Sequence, residues 1–162
     1  MEIRPALPDD LDQITEIYNE AVSSSLVTFD IIARDRETQL KWFESHRGIY
    51  TANVATDNQV ILGFGSLSPY RDRAAYRTTV EDSIYVRSTS RRSGVGRGIM
   101  ESLIDSAHAG GFHAVMARMY AGNEPSIALH GSLGFQQVGI EKEVGRKFGK
   151  WLDVVVMELI VV

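Results

Sequence analysis

The segment from 77 to 111 constrains the fold more than any other, because it reads as a strand, a glycine-rich turn and a helix in immediate succession. Over 77–86 the residues alternate, which puts Val80, Asp82, Ile84 and Val86 on one face of a strand and Glu81, Ser83 and Tyr85 on the other. Gly94-Val95-Gly96-Arg97-Gly98 follows, and then Ile99, Met100, Leu103, Ile104 and Ala107 form an amphipathic helical stripe that Gly110-Gly111 ends. A central strand that feeds straight into an amphipathic helix needs a sheet for that helix to cover, which places the chain in the α/β class.

The remaining segments supply the sheet and its cover. Ile3 and Arg4 read as a short first strand, and Pro8-Asp9-Asp10 as a turn and cap before a helix whose apolar stripe is Leu11, Ile14, Ile17, Tyr18, Ala21 and Val22. Residues 23–35 are less regular. A second helix is predicted over 36–46, with Leu40, Trp42 and Phe43 as its apolar residues, and strands over 49–55 and 60–67 make a hairpin around Thr56-Asp57-Asn58-Gln59. A strand over 115–120, a short helix over 123–133 and antiparallel strands at 138–139 and 151–161 close the chain. The order is mixed rather than a strict strand-helix alternation. No repeat or low-complexity linker divides it, and 162 residues of which 44% are apolar suit one core, so a single domain over 1–162 is expected.

Glycines placed where a strand turns into a helix let several backbone N–H groups converge on an anion. Arg87, Arg91, Arg92 and Arg97 concentrate positive charge there in a chain of net charge −4, which points to a phosphorylated small ligand and away from nucleic acid. A plain glycine turn flanked by solvated arginines has the same spacing. The loop lacks the Lys-Ser/Thr ending of a nucleoside-triphosphate loop and is too short for the dinucleotide glycine fingerprint. With no cysteine there is no disulfide framework, thiolate metal site or cysteine nucleophile, and His46, His108, His113 and His130 show no ligand spacing, so no metal is expected. The first residues lack a secretory pattern. The longest apolar tract, 154–162, is broken by Glu158 and is far shorter than the ~20 residues that span a bilayer. A cytoplasmic protein without a membrane partner is the expectation.

Arg91, Gly94 and Gly96 match a pattern of Gln or Arg, two variable residues, Gly, one variable residue, and Gly or Ala. In this the loop resembles the acetyl-CoA signature of the GNAT superfamily of N-acetyltransferases. Thr79-Val80-Glu81-Asp82-Ser83-Ile84-Tyr85-Val86 precedes it, Asn123-Glu124-Pro125-Ser126 and His130-Gly131-Ser132-Leu133-Gly134-Phe135 follow, and Phe148-Gly149-Lys150-Trp151-Leu152-Asp153-Val154 lies near the end. Together with Ile17-Tyr18-Asn19 near the start, these blocks resemble the phosphinothricin and methionine sulfoximine acetyltransferase branch over essentially the full length.

The resemblance implies the GNAT (acyl-CoA N-acyltransferase) fold, a mixed central β-sheet with a splayed parallel strand pair flanked by α-helices. It also implies a homodimer, and direct transfer of acetyl from acetyl-CoA to the α-amino group of a small amino-acid-like substrate. Carried over residue by residue, Ile84, Tyr85 and Val86 would receive pantetheine as an added strand, with N–H groups near Val86 polarising the thioester. Arg92, Ser93, Gly94, Val95, Gly96 and Arg97 would hold the pyrophosphate, and Asn123 and Ser132 would touch the cofactor from the next helix. Asn123 also suits a plain helix cap, and Ser132 a solvated hydroxyl.

By the same resemblance Glu81 is the candidate general base, since an ammonium must lose a proton before it can attack. Its alternative roles are a partner for the substrate ammonium or a solvated strand acid. His130 fills a position where many superfamily members carry a tyrosine, and is therefore the candidate acid or relay for the leaving thiolate, with Tyr85 and Tyr120 in reserve; a surface histidine is the plain alternative. Around the acceptor the resemblance implies Ala74, Ala75 and Tyr76 at the border, Arg71 or Arg73 on a carboxylate or tetrahedral group, and Phe29 as an apolar wall. A polyamine, an aminoglycoside or a protein N-terminus is an alternative acceptor on the same scaffold, and a non-catalytic coenzyme A binding module is the alternative of another class.

Overall fold

Asn58 and Gln59 both take left-handed backbone, with φ of 48° and 69°, which reverses the chain in two residues and pairs β2 (Ala52–Asp57) with β3 (Val60–Pro69) in the predicted hairpin. In the computed structural model, which describes residues 1–161, β1 (Glu2–Pro5) extends one edge of that hairpin and β4 (Thr79–Val86) the other. With β5 (Ala114–Tyr120), β6 (Gln136–Lys147) and β7 (Lys150–Ile160) the sheet has the order β1-β2-β3-β4-β5-β7-β6. Strands β4 and β5 run parallel and all other neighbours antiparallel.

Helices α1 (Leu11–Ser24) and α2 (Arg36–Ser45) cover one face, where Ile14, Ile17 and Tyr18 pack with Phe43 and Phe64. Helix α3 (Val95–Ala109) covers the other, placing Ile99, Met100 and Leu103 against Leu67, Val80 and Val115, and α4 (Glu124–Ser132) lies beside β5. The close seat of α3 depends on a glycine in β3. A Cβ on Gly65 would come within 2.6 Å of Ile99 Cγ2 and 2.9 Å of Leu103 Cδ1, so a side chain there would push the helix off the sheet. No helix among the described residues is long and apolar enough to cross a membrane.

Several elements differ from the sequence expectations. Strand β2 begins at Ala52 rather than 49. Helix α3 begins at Val95, inside the glycine segment, because Gly94 takes a left-handed φ of 84° and completes the turn before Gly96 and Gly98 are reached. Leu40 is 41% exposed, and it is Gln39 and Phe43 that α2 turns inward. Strand β6 runs over twelve residues instead of two. It is an edge strand whose register slips between Gln137 and Gly139 and again between Glu141 and Gly145, and those slips break the alternation by which a strand is recognised.

The parallel ladder is short. It consists of Thr79 with Ala114, Val80 with Val115 and Glu81 with Met116, whereas β5 goes on pairing with β7 as far as Tyr120. Beyond Glu81 the two parallel strands part, and a wedge opens along residues 82–86.

Candidate active site

Hydrogen-bond parity decides which way the end of β4 faces. Arg87 N donates to Leu62 O at 2.8 Å, so by the antiparallel alternation Tyr85 bonds with Phe64, while Ile84 and Val86 turn their N–H and C=O groups away from β3. Those groups point into the wedge, where β5 has already separated. An unpaired strand edge of this kind suits an extended amide chain such as pantetheine.

The glycine loop lies directly beyond. Helix α3 has no side-chain N-cap bond, which leaves the first-turn N–H groups of Val95, Gly96 and Arg97 open to an anion. No atom lies within 4 Å of where a Cβ on Gly94 would be, so the approach is clear. Arg92 also adopts left-handed backbone, with φ of 60°. Arg97 pairs with Glu101 at 2.9 Å and donates to Ser132 Oγ at 3.2 Å, bringing two of the expected cofactor residues together from separate helices. Asn123 does cap α4, accepting from Ser126 N at 3.4 Å, and its amide N–H groups have no partner among the described residues. The open strand edge and the uncapped helix start suit the two halves of acetyl-CoA, its amide arm and its pyrophosphate.

Glu81 stands at the last paired position before the wedge, opposite Ser68 of β3. No hydrogen bond or ion pair among the described residues holds its carboxylate. Burial pushes this carboxyl above the usual carboxylate range; Arg118 opposes the shift, and the charges of Asp82 and Glu141 add to it. Arg118 is itself paired with Glu141, and Arg71 also lends favourable charge to Glu81. The Arg71 guanidinium lies 4.9 Å from the Tyr70 ring and 5.7 Å from the Tyr76 ring, on an exposed loop in which Arg73 precedes the single turn Ala74–Tyr76. Phe29 is 39% exposed, and its ring covers Gly145 of β6.

His130 is not at the surface. It is 3% exposed, packs edge-on against Phe135, and engages both ring nitrogens: Nδ1 lies 2.7 Å from Ser126 O and Nε2 lies 3.2 Å from Asp82 Oδ1. Ser126 O and the Asp82 carboxylate thus flank the ring on its two sides. Burial alone would depress the imidazole, but the hydrogen bond and charge of Asp82, helped by the Ser126 carbonyl, outweigh it and hold the group above its ordinary value. The plain alternative of a surface histidine does not hold, since the ring is enclosed and tied to β4 through Asp82. Tyr85 is a wall residue, stacked on Phe64 at 5.3 Å and edge-on to Tyr18 at 5.0 Å, and burial raises its phenol well above the ordinary value.

A polar pocket of about 140 Å³ opens on the α1 and α2 face, lined by Ser68, the cross-strand partner of Glu81, and by Ser83. Its floor is β3 and β4, where Ser66 and Ser83 stand directly opposite each other; Trp42, His46 and Arg34 close it from above. His46 Nδ1 lies 2.6 Å from Trp42 O and Nε2 lies 2.8 Å from Ser68 Oγ, while burial, against the pull of that carbonyl and with the charge of Arg34, lowers the imidazole below its ordinary value. Of the pocket's lining, Tyr85 was a sequence candidate, and Arg34, Trp42, His46, Ser66 and Ser68 were not. The usable signal was the same-face series Phe64, Ser66, Ser68, hydroxyls where a core strand would carry apolar side chains. A separate groove of about 760 Å³ runs between α1 and α2 and shares no lining residue with this pocket.

A strand edge left open beside a phosphate-accepting helix start is the geometry of an acyltransferase that works on coenzyme A thioesters. Residues 3–156 match the acetyltransferase (GNAT) domain family, and the chain belongs to that family. It is 39% identical over 158 residues to phosphinothricin N-acetyltransferase of Streptomyces coelicolor, covering 95% of this chain and 92% of that one. It is 38% identical over 160 residues to L-methionine sulfoximine/L-methionine sulfone acetyltransferase of Salmonella typhimurium, covering 98% and 94%. An acetyltransferase from Salmonella typhimurium solved with acetyl-CoA has the same fold, with a TM-score of 0.97 at 37% identity over 100% of this chain and 94% of that one. The family and fold expected from the glycine signature and its accompanying blocks are borne out.

Proposed function

We propose that the protein uses acetyl-CoA to acetylate the α-amino group of a small amino-acid-like acceptor of the methionine sulfoximine, methionine sulfone or phosphinothricin type. The supporting observation is the position of Glu81, where the free edge of β4 begins, with its cross-strand partner Ser68 and its same-face neighbour Ser83 both lining the polar pocket. Acetyl-CoA supplies the activated acetyl thioester. The free N–H groups of Ile84 and Val86 hold the amide arm extended and aim a donor at the oxygen where charge develops. Glu81 takes a proton from the acceptor ammonium, directly or through one water, so that a neutral amine attacks. Arg71 and Arg73, on the turn before β4, provide charge for the acceptor carboxylate. His130 acts by position, tying α4 and its Ser132 to β4 through Asp82.

We further propose a homodimer. Val138, Ile140, Val144, Phe148 and Trp151 leave an exposed apolar band on the β6 and β7 edge, and Phe29 rests on that edge at Gly145, so a second copy would cover the band and flank the acceptor site.

A thiol-release assay with acetyl-CoA tests the reaction, run against phosphinothricin, methionine sulfoximine, methionine sulfone, a polyamine, an aminoglycoside and a peptide. Turnover of the amino acids is expected; turnover confined to the other amines, or cofactor binding without any turnover, overturns the reading.

A further inference from the structure

Arg34 is built into the pocket as a fixed cation. Asn19 grips its backbone from both sides, accepting from Arg34 N at 2.8 Å and donating to Arg34 O at 2.9 Å. The guanidinium lies 3.7 Å from the Tyr18 ring centroid and 5.8 Å from that of Trp42. Its nearest carboxylate, Asp30, stands 3.8 Å away, beyond hydrogen-bond reach, and already accepts the Tyr18 hydroxyl. No hydrogen bond among the described residues uses the Arg34 guanidinium N–H groups, and the hydroxyls of Ser66 and Ser83 on the floor below have no partner among those residues either. His46 Nε2 is taken by Ser68. The cavity therefore offers a ligand mainly donors and one positive charge.

Distance along the strand ties this pocket to the chemistry. Glu81 and Ser83 share a face, and two residues of strand span about 6.6 Å. That is roughly the reach from the α-amine of a glutamate-sized amino acid to the end of its side chain. A molecule whose amine meets Glu81 thus lays its far end over Ser83 and under Arg34.

We propose that this pocket receives the side-chain terminus of the acceptor, and that Arg34 selects acceptors ending in an oxyanion, a phosphinate or carboxylate, over those ending in a neutral polar group. The proposal rests on the transferase reading above and adds to it the chemistry of the preferred side chain. A guanidinium presents a planar fork that meets two oxygens at once, so loss of the charge and loss of the fork are separable by substitution.

The test compares kcat/KM for phosphinothricin, whose side chain ends in a phosphinate, with that for neutral methionine sulfone, in wild type, Arg34→Gln and Arg34→Lys. Wild type is expected to favour phosphinothricin. Arg34→Gln is expected to lower that preference at least tenfold, chiefly through the KM of phosphinothricin, and Arg34→Lys to fall between. An unchanged preference in Arg34→Gln overturns the role of Arg34 while leaving the transferase reading standing. Failure of the wild type to acetylate either compound overturns that reading and the pocket assignment with it. Should Arg34→Gln not fold, Ser66→Ala and Ser83→Ala carry the comparison: each is expected to reduce the same preference about threefold, and no change in either overturns the proposal.

Discussion

Asp82 and His130 meet across the base of the wedge, 48 residues apart in sequence, with His130 Nε2 at 3.2 Å from Asp82 Oδ1 and both side chains almost fully buried. Asp82 Oδ2 has no partner among the described residues, so the His130 ring is the one side chain that bonds this carboxyl. His130→Ala is expected to cost about 3–5 kcal/mol, because it strands a buried carboxylate. The pH dependence has a definite sign. The folded imidazole is held above its unfolded value of ~6.5, so its contribution is fully present below about pH 6.5 and fades as pH rises through the raised value. Urea denaturation at about pH 6 and about pH 9 should show the wild type losing more stability than His130→Gln across that interval.

Glu81→Gln should lower kcat by about a hundredfold or more if the carboxylate is the base. In the wild type, kcat/KM should rise with pH through a value above the ordinary carboxylate ~4.3, since burial raises the group and only its ionised form accepts a proton. That acidic limb should vanish in Glu81→Gln. A loss expressed in the acceptor KM, with the limb intact, would assign Glu81 to ammonium binding instead.

Gly65→Ala should cost about 1–3 kcal/mol, because the added methyl meets Ile99 and Leu103 and α3 cannot withdraw without losing its contacts. The urea midpoint reads this directly. A neutral result would mean that the helix rides higher on the sheet than described.

Arg97→Ala should raise the KM for acetyl-CoA about tenfold, the equivalent of ~1.4 kcal/mol, with kcat little changed. Its distance from Glu81 along the chain, across the whole glycine loop, is the reason to expect the two constants to separate. A matching fall in kcat would place Arg97 closer to the reacting atoms.

The strand, glycine turn and helix over 77–111 were legible in the sequence because each carries its own local period, and that unit holds Glu81 and the open backbone of Ile84 and Val86. The polar pocket proposed for the acceptor was not legible, since it is assembled from distant segments. Arg34 lies in the aperiodic stretch 23–35, and its backbone is held by Asn19 and its guanidinium by Tyr18 on the neighbouring helix, interactions with no local signature. The sequence left open whether His130 was an acid or relay or a surface histidine, because its burial is decided by its contact with Asp82, far upstream. Strand β6 escaped notice because two slips in register hide its alternation.

A sheet that stops pairing partway along two central strands carries an edge in its own interior, where most folds have none. A coenzyme arm seated there acts as a missing piece of secondary structure as well as a reactant. Occupancy should therefore knit the halves β1-β2-β3-β4 and β5-β7-β6 into one continuous hydrogen-bonded surface, slowing amide exchange at Ile84 and Val86 and raising the melting temperature in step with coenzyme concentration.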